Sequence, residues 1–138
     1  DKAYKVERFE YGAFADCTFL TGVLTLPKNV ARIPIGCFAG CINITGLVIP
    51  ENVTLIEKDA FNGCSSIGSI VCEGTTPPVI CENTFYGISK DNFNVVVPEG
   101  CVDAYRYAPG WREFKRITEH SNFMCHPQMV NAINKYRK

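Results

Sequence analysis

The chain has 138 residues, and its 14 Lys and Arg balance 14 Asp and Glu to a formal net charge of zero, so no global field draws in nucleic acid or an acidic membrane. No apolar run approaches the roughly 20 residues of a membrane-spanning helix, whereas a single domain of this length buries about two thirds of its unfolded surface, enough for a core without metal or disulfide help. The eight cysteines raise the question of a disulfide framework, which their positions along the chain decide.

Read in chain order, one unit keeps returning. It opens with a return segment at Val6, Val30 and Val53, followed by an apolar residue at Phe9, Ile33, Ile56 and Ile80. Five residues on stands an aromatic anchor, Phe14, Phe38, Phe61 and Phe85, at spacings of 24, 23 and 24 residues. Asp16, Gly40, Gly63 and Gly87 hold the next fixed position, then Cys17, Cys41 and Cys64, then Leu20, Ile44 and Ile67. The strand segment comes next and is plainest in Ile44-Thr-Gly-Leu-Val-Ile49-Pro50, with apolar residues at positions one, four and six. Ile67, Ile70 and Cys72 repeat that pattern, while Leu20 to Pro27 carries one extra residue and predicts a bulge in the first strand. Pro27 and Pro50 end their strands because proline has no N–H to continue a ladder.

One copy cannot bury its apolar face alone, so copies must stack, strand parallel to strand, with the Phe residues in a column inside. Strands are expected on one face, and turns with short helical or 3₁₀ segments around Asp59-Ala60-Phe61 on the other. The pattern loosens at Glu73-Gly-Thr-Thr-Pro77-Pro78. A last strand reads Asn94 to Pro98, a short helix Cys101 to Tyr105 and a turn Ala108 to Trp111, with Trp111 and Phe114 placed to fold over the open end. The solenoid with its cap (about 94–117) then fills 1–117, and 118–138 is a separate tail with a predicted helix over 127–136. Pro127 suits a first turn, and Met129, Val130, Ile133 and Tyr136 share one face.

The units Ala13-Phe14-Ala15-Asp16-Cys17, Cys37-Phe38-Ala39-Gly40-Cys41 and Ala60-Phe61-Asn62-Gly63-Cys64, each followed by its strand, resemble the BspA-like leucine-rich repeat family. The stretch from Val97-Pro98-Glu99-Gly100-Cys101 through Pro109-Gly110-Trp111 to Ile117 is similar to that family's end cap. The resemblance implies a leucine-rich-repeat solenoid of the α/β repeat type, and a surface or secreted protein with a binding or adhesion role.

Cys17, Cys41 and Cys64 share one repeat position, Cys37 replaces Ala13 and Ala60, and Cys72 replaces Ile49. Free cysteine packs as a small hydrophobe, so these five read as core. Cys81, Cys101 and Cys125 are the better candidates for bridging or reactivity. Cys125 and His126 are chain neighbours, which does not by itself set up a nucleophile and its base. No phosphate-binding glycine loop, nucleophile elbow or zinc spacing is present, so no catalytic, metal or cofactor residue is assigned.

The leading expectation is therefore a non-catalytic protein-binding module. Its candidate face is the set of strand positions left between buried ones: Thr25, Thr45, Val48, Ser69, Val71 and Glu73. These are small and weakly charged, which fits a protein ligand rather than nucleic acid. The alternatives are a structural or oligomerisation segment and, more remotely, a cysteine-dependent enzyme. Because the first copy is incomplete, further repeats or another molecule are expected against the N-terminal end.

Overall fold

The computed structural model describes residues 9–120; the predicted helix 127–136 and the pair Cys125-His126 lie outside them. Eight strands run in chain order: β1 (Gly22–Thr25), β2 (Arg32–Ile33), β3 (Ile44–Ile49), β4 (Leu55–Ile56), β5 (Ser69–Cys72), β6 (Val79–Ile80), β7 (Asn94–Pro98) and β8 (Arg116–His120). One helix, α1 (Val102–Tyr107), and a 3₁₀ turn at Trp111–Glu113 separate β7 from β8. The odd-numbered strands and β8 form a five-stranded sheet in the order β1-β3-β5-β7-β8. Strands β2-β4-β6 form a second sheet, and every pairing in both is parallel. This is a β-solenoid of about four turns.

The register follows the repeat. Leu24, Leu47, Ile70, Val95 and Ile117 are partners across the five strands, and all five pack into the core. Pairing slips between Gly22 and Val23, so that Val23 meets Gly46 and Thr45 has no partner in β1. The first ladder thus holds a bulge, but its unpaired residue, Thr45, lies on β3 and not in the first strand, where the extra residue predicted it. Inside, the Phe14, Phe38, Phe61 and Phe85 rings stack at centroid spacings of 5.3, 5.3 and 5.7 Å. That is slightly more than the roughly 4.8 Å between strands, as expected for rings stacked with an offset.

The turns expected around the Phe column are present, without the short helical or 3₁₀ segments expected among them. The segment is a chain of overlapping turns, for example Ala60 N–H to Glu57 O and Asn62 N–H to Asp59 O, both 3.1 Å. Two left-handed residues per copy prevent a helix: Asp59 (φ 61°) and Gly63 (φ 81°) in the third. They also turn alternate amides toward the following coil, so that Phe61 donates to Thr84 O at 2.9 Å and Gly63 to Tyr86 O at 2.8 Å. Glycine suits the second position for a further reason. A Cβ at Gly40 would run into the Asp16 carboxylate, whereas one at Gly87 would only touch the Gly63 backbone.

The cap closes the last coil through aromatic donors. Trp111 is fully buried against Phe85, Tyr105 and Phe114, and its Nε1–H donates to Pro78 O at 2.8 Å. The Tyr105 hydroxyl donates to Gly74 O at 2.7 Å. The loosened stretch after Cys72 is therefore pinned from the cap side, each bond supplying a partner to a backbone carbonyl at a buried residue. Strand β8 continues to His120, past the boundary expected at Ile117, and Glu119 Oε1 accepts from Gly100 N–H at 2.7 Å.

Candidate functional site

The outward face of the five-stranded sheet carries two rows of side chains. Alternation places every second residue of a strand outside, and the pairing aligns Thr25, Val48, Val71, Val96 and Thr118 in one row. Val23, Gly46, Ser69, Asn94 and Arg116 form the next. Thr25 and Thr118 are exposed, while the three valines between them are half-buried by their neighbours. Gly46 leaves the Val23 and Ser69 side chains close together, since a Cβ there would meet Val23 Cγ2 at 3.2 Å and Ser69 Oγ at 3.5 Å.

Of the six face residues expected from sequence, Thr25, Val48 and Val71 fall in one row and Ser69 in the row beside it. Thr45 and Glu73 do not join them. Thr45 is the bulged residue near the start of β3, and Glu73 lies beyond the end of β5, so the two sit at opposite ends of the strands. Glu73 instead helps line a surface pocket of about 310 Å³ with Lys28, Pro50, Glu51 and Asn52. Val96, Thr118, Val23, Asn94 and Arg116 belong to the face but were not expected there. The alternation in Asn94-Val-Val-Val97 carried the signal for Val96, whereas Thr118 was hidden by placing the end of the solenoid at Ile117.

The seven described cysteines are all free. Cys37, Cys41, Cys64 and Cys72 are fully buried, and the thiols of Cys41 and Cys64 donate to Phe14 O and Phe38 O of the preceding coil at 3.1 Å. Burial pushes Cys64 up to about 11 and Cys37 to about 12, against the lowering effect of nearby backbone hydrogen bonds. Cys41 and Cys72 are also raised, again chiefly by burial. A thiolate nucleophile needs the reverse, an exposed site that favours the anion. Cys81 is the exposed thiol among the described residues. With a thiol-reactive probe at neutral pH, Cys81 is expected to react first, and Cys37, Cys64 and Cys72 only on denaturation. Rapid labelling of one of those three in the folded chain would contradict their packing role.

Two further features stand apart from the sheet face. Tyr11 and Phe19, with 72% and 80% of their surface exposed, belong to the first coil. At the other end a cleft of about 440 Å³ lies between the last turn segment, Ile80 to Tyr86, and the cap residues Pro109, Gly110 and Glu113. Sequence gave no sign of this cleft, because it arises where a coil is replaced by the cap. Among the described residues there is no cluster of ligating side chains able to hold a metal ion. Nor is any described helix long and apolar enough to cross a membrane.

Stacked parallel coils, a buried aromatic column and an outward sheet face of small residues define a leucine-rich-repeat solenoid. The chain belongs to the BspA type leucine rich repeat region (6 copies) family, whose model it matches over residues 3–108. No curated protein matches it.

Proposed function

We propose that this chain is a protein-binding module, used for adhesion or recognition at a cell surface or in secreted form. The aligned face of the five-stranded sheet is its contact surface. The observation that carries the reading is the row Thr25-Val48-Val71-Val96-Thr118. Five short side chains held in register on a rigid sheet form a flat, weakly apolar strip. Its partner can bury it without displacing long charged side chains, whose ordering costs up to about 2 kcal/mol each. Solenoids recognise proteins through extended faces of this kind, and the family to which the chain belongs supports a binding rather than a catalytic role.

Val48→Lys and Val71→Lys test the assignment, because each adds a charge to the centre of the strip at a half-buried outward position. Proteins retained by the wild-type chain from surface and secreted extracts are expected to be lost from both variants, with thermal midpoints nearly unchanged. An interface mapped wholly onto the turn segments or onto residues 121–138 would overturn the assignment.

A further inference from the structure

The hydrogen bonds between turn segments follow one rule. Three alternate amides of each coil donate to three alternate carbonyls of the next. In the first coil Gly12, Phe14 and Asp16 donate to Ile35, Cys37 and Ala39 at 3.0, 2.8 and 2.7 Å. In the second, Gly36, Phe38 and Gly40 donate to Lys58, Ala60 and Asn62 at 3.0, 2.8 and 2.8 Å. In the third, Asp59, Phe61 and Gly63 donate to Glu82, Thr84 and Tyr86 at 3.3, 2.9 and 2.8 Å.

The fourth coil reaches the same geometry and, among the described residues, has no fifth turn segment beside it. Its corresponding donors are Asn83, Phe85 and Gly87, with Asn83 (φ 58°) and Gly87 (φ 91°) in the left-handed conformations of their counterparts. Among the described residues no acceptor meets these three amides. The cap covers the Phe85 ring with Trp111 and Phe114 but supplies no carbonyl row to the backbone. The 440 Å³ cleft runs along this edge, with Asn83 and Phe85 on one wall and Gly110 and Glu113 on the other.

We infer that this cleft binds a turn-forming polypeptide segment of a partner protein, whose alternate carbonyls complete the hydrogen-bond column that the fourth coil begins. Three donors spaced two residues apart match the alternate carbonyls that a turn segment presents, as Lys58, Ala60 and Asn62 do to the second coil. Phe85 is buried while Asn83 and Gly87 are exposed, so a ligand that supplies acceptors gains most at the Phe85 amide. Free anions fit less well. The lining includes two carboxylates, Glu82 and Glu113, and its one cation, Lys90, already donates to Phe85 O at 3.3 Å and lies over the Phe114 ring. Neutral backbone carbonyls meet the donors without that repulsion. The site is separate from the sheet face, and either can stand without the other.

The probe is the chain's own acceptor unit, a capped synthetic peptide of residues 79–88 bearing C81S, which carries the carbonyls of Glu82, Thr84 and Tyr86. Added to the isotope-labelled full chain, it is expected to shift the Asn83, Phe85 and Gly87 amide protons downfield. At nine-tenths occupancy it should slow their exchange about tenfold, whereas a scrambled peptide should leave them unchanged. Attaching a bulky maleimide to Cys81, which lines the cleft, is expected to abolish the response. A C81S variant taken through the same treatment should keep it. Three amides unmoved by millimolar peptide would overturn the proposal. So would amides already shifted and slow at every dilution without peptide, which would place residues 121–138 in the cleft. Protection that rises with the protein's own concentration would do the same, by making a second copy the occupant.

Discussion

Phe61→Ala is expected to destabilise the chain by about 3–5 kcal/mol, the range for deleting a buried aromatic ring from a packed core, and to lower the thermal midpoint by about 10–20 °C. Phe61 is fully buried and stacks on both sides, against Phe38 at 5.3 Å and Phe85 at 5.7 Å, with planes within 10° of parallel. Truncation removes two ring contacts together and leaves a cavity that the coils cannot close. Their spacing is fixed by backbone bonds on either side, from Phe38 N–H to Ala60 O and from Phe61 N–H to Thr84 O. Phe61→Leu keeps most of the volume and should cost less than half as much. Equilibrium denaturation of both variants checks this. Equal losses for Ala and Leu would mean that ring stacking, rather than filled volume, carries the column.

The position of Phe61 was legible because a solenoid writes its contacts into its period. Residues 24, 23 and 24 apart become neighbours, so the Phe column and the strand order follow from spacing alone, whereas the bulge expected in the first strand falls at Thr45 of β3. What escaped was of two kinds. The second sheet is made of two-residue strands such as β2 and β4, too short for an alternating pattern to announce them. The left-handed turn chemistry was also hidden. One repeat position is filled by Gly12, Gly36, Asp59 and Asn83, three residue types that share a tolerance for positive φ rather than a hydropathy. The turns expected near Phe61 form, and the short helical or 3₁₀ segments expected with them do not, for that reason. For the candidate face, alternation placed Thr25, Val48, Val71 and Ser69 correctly. It misplaced Thr45 because a bulge suspends alternation, and Glu73 because the strand had already ended at Cys72.

The cap makes the second large effect a local one. Trp111→Ala is expected to cost about 3–5 kcal/mol, since the indole is buried among Phe85, Tyr105 and Phe114 and its N–H satisfies Pro78 O. In a quasi-linear stack each coil touches only its neighbours, so the loss should not be shared evenly. Coil four loses the surface it packs against, while the ladder between β1 and β3 keeps its pairing. Hydrogen exchange should therefore quicken first at Val79 and Cys81, whose amides donate back to Thr54 O and Ile56 O at 2.9 and 3.1 Å. Leu26, which donates to Val48 O at 3.1 Å, should follow only near global unfolding. Trp111→Phe separates the two contributions of the indole. It preserves most of the packing and removes the hydrogen bond to Pro78, so it should cost about 1–3 kcal/mol and free chiefly the Glu73 to Pro78 stretch. Faster exchange spread uniformly from β1 to β8 in either variant would show that the solenoid unfolds as one unit and that the cap stabilises all coils alike.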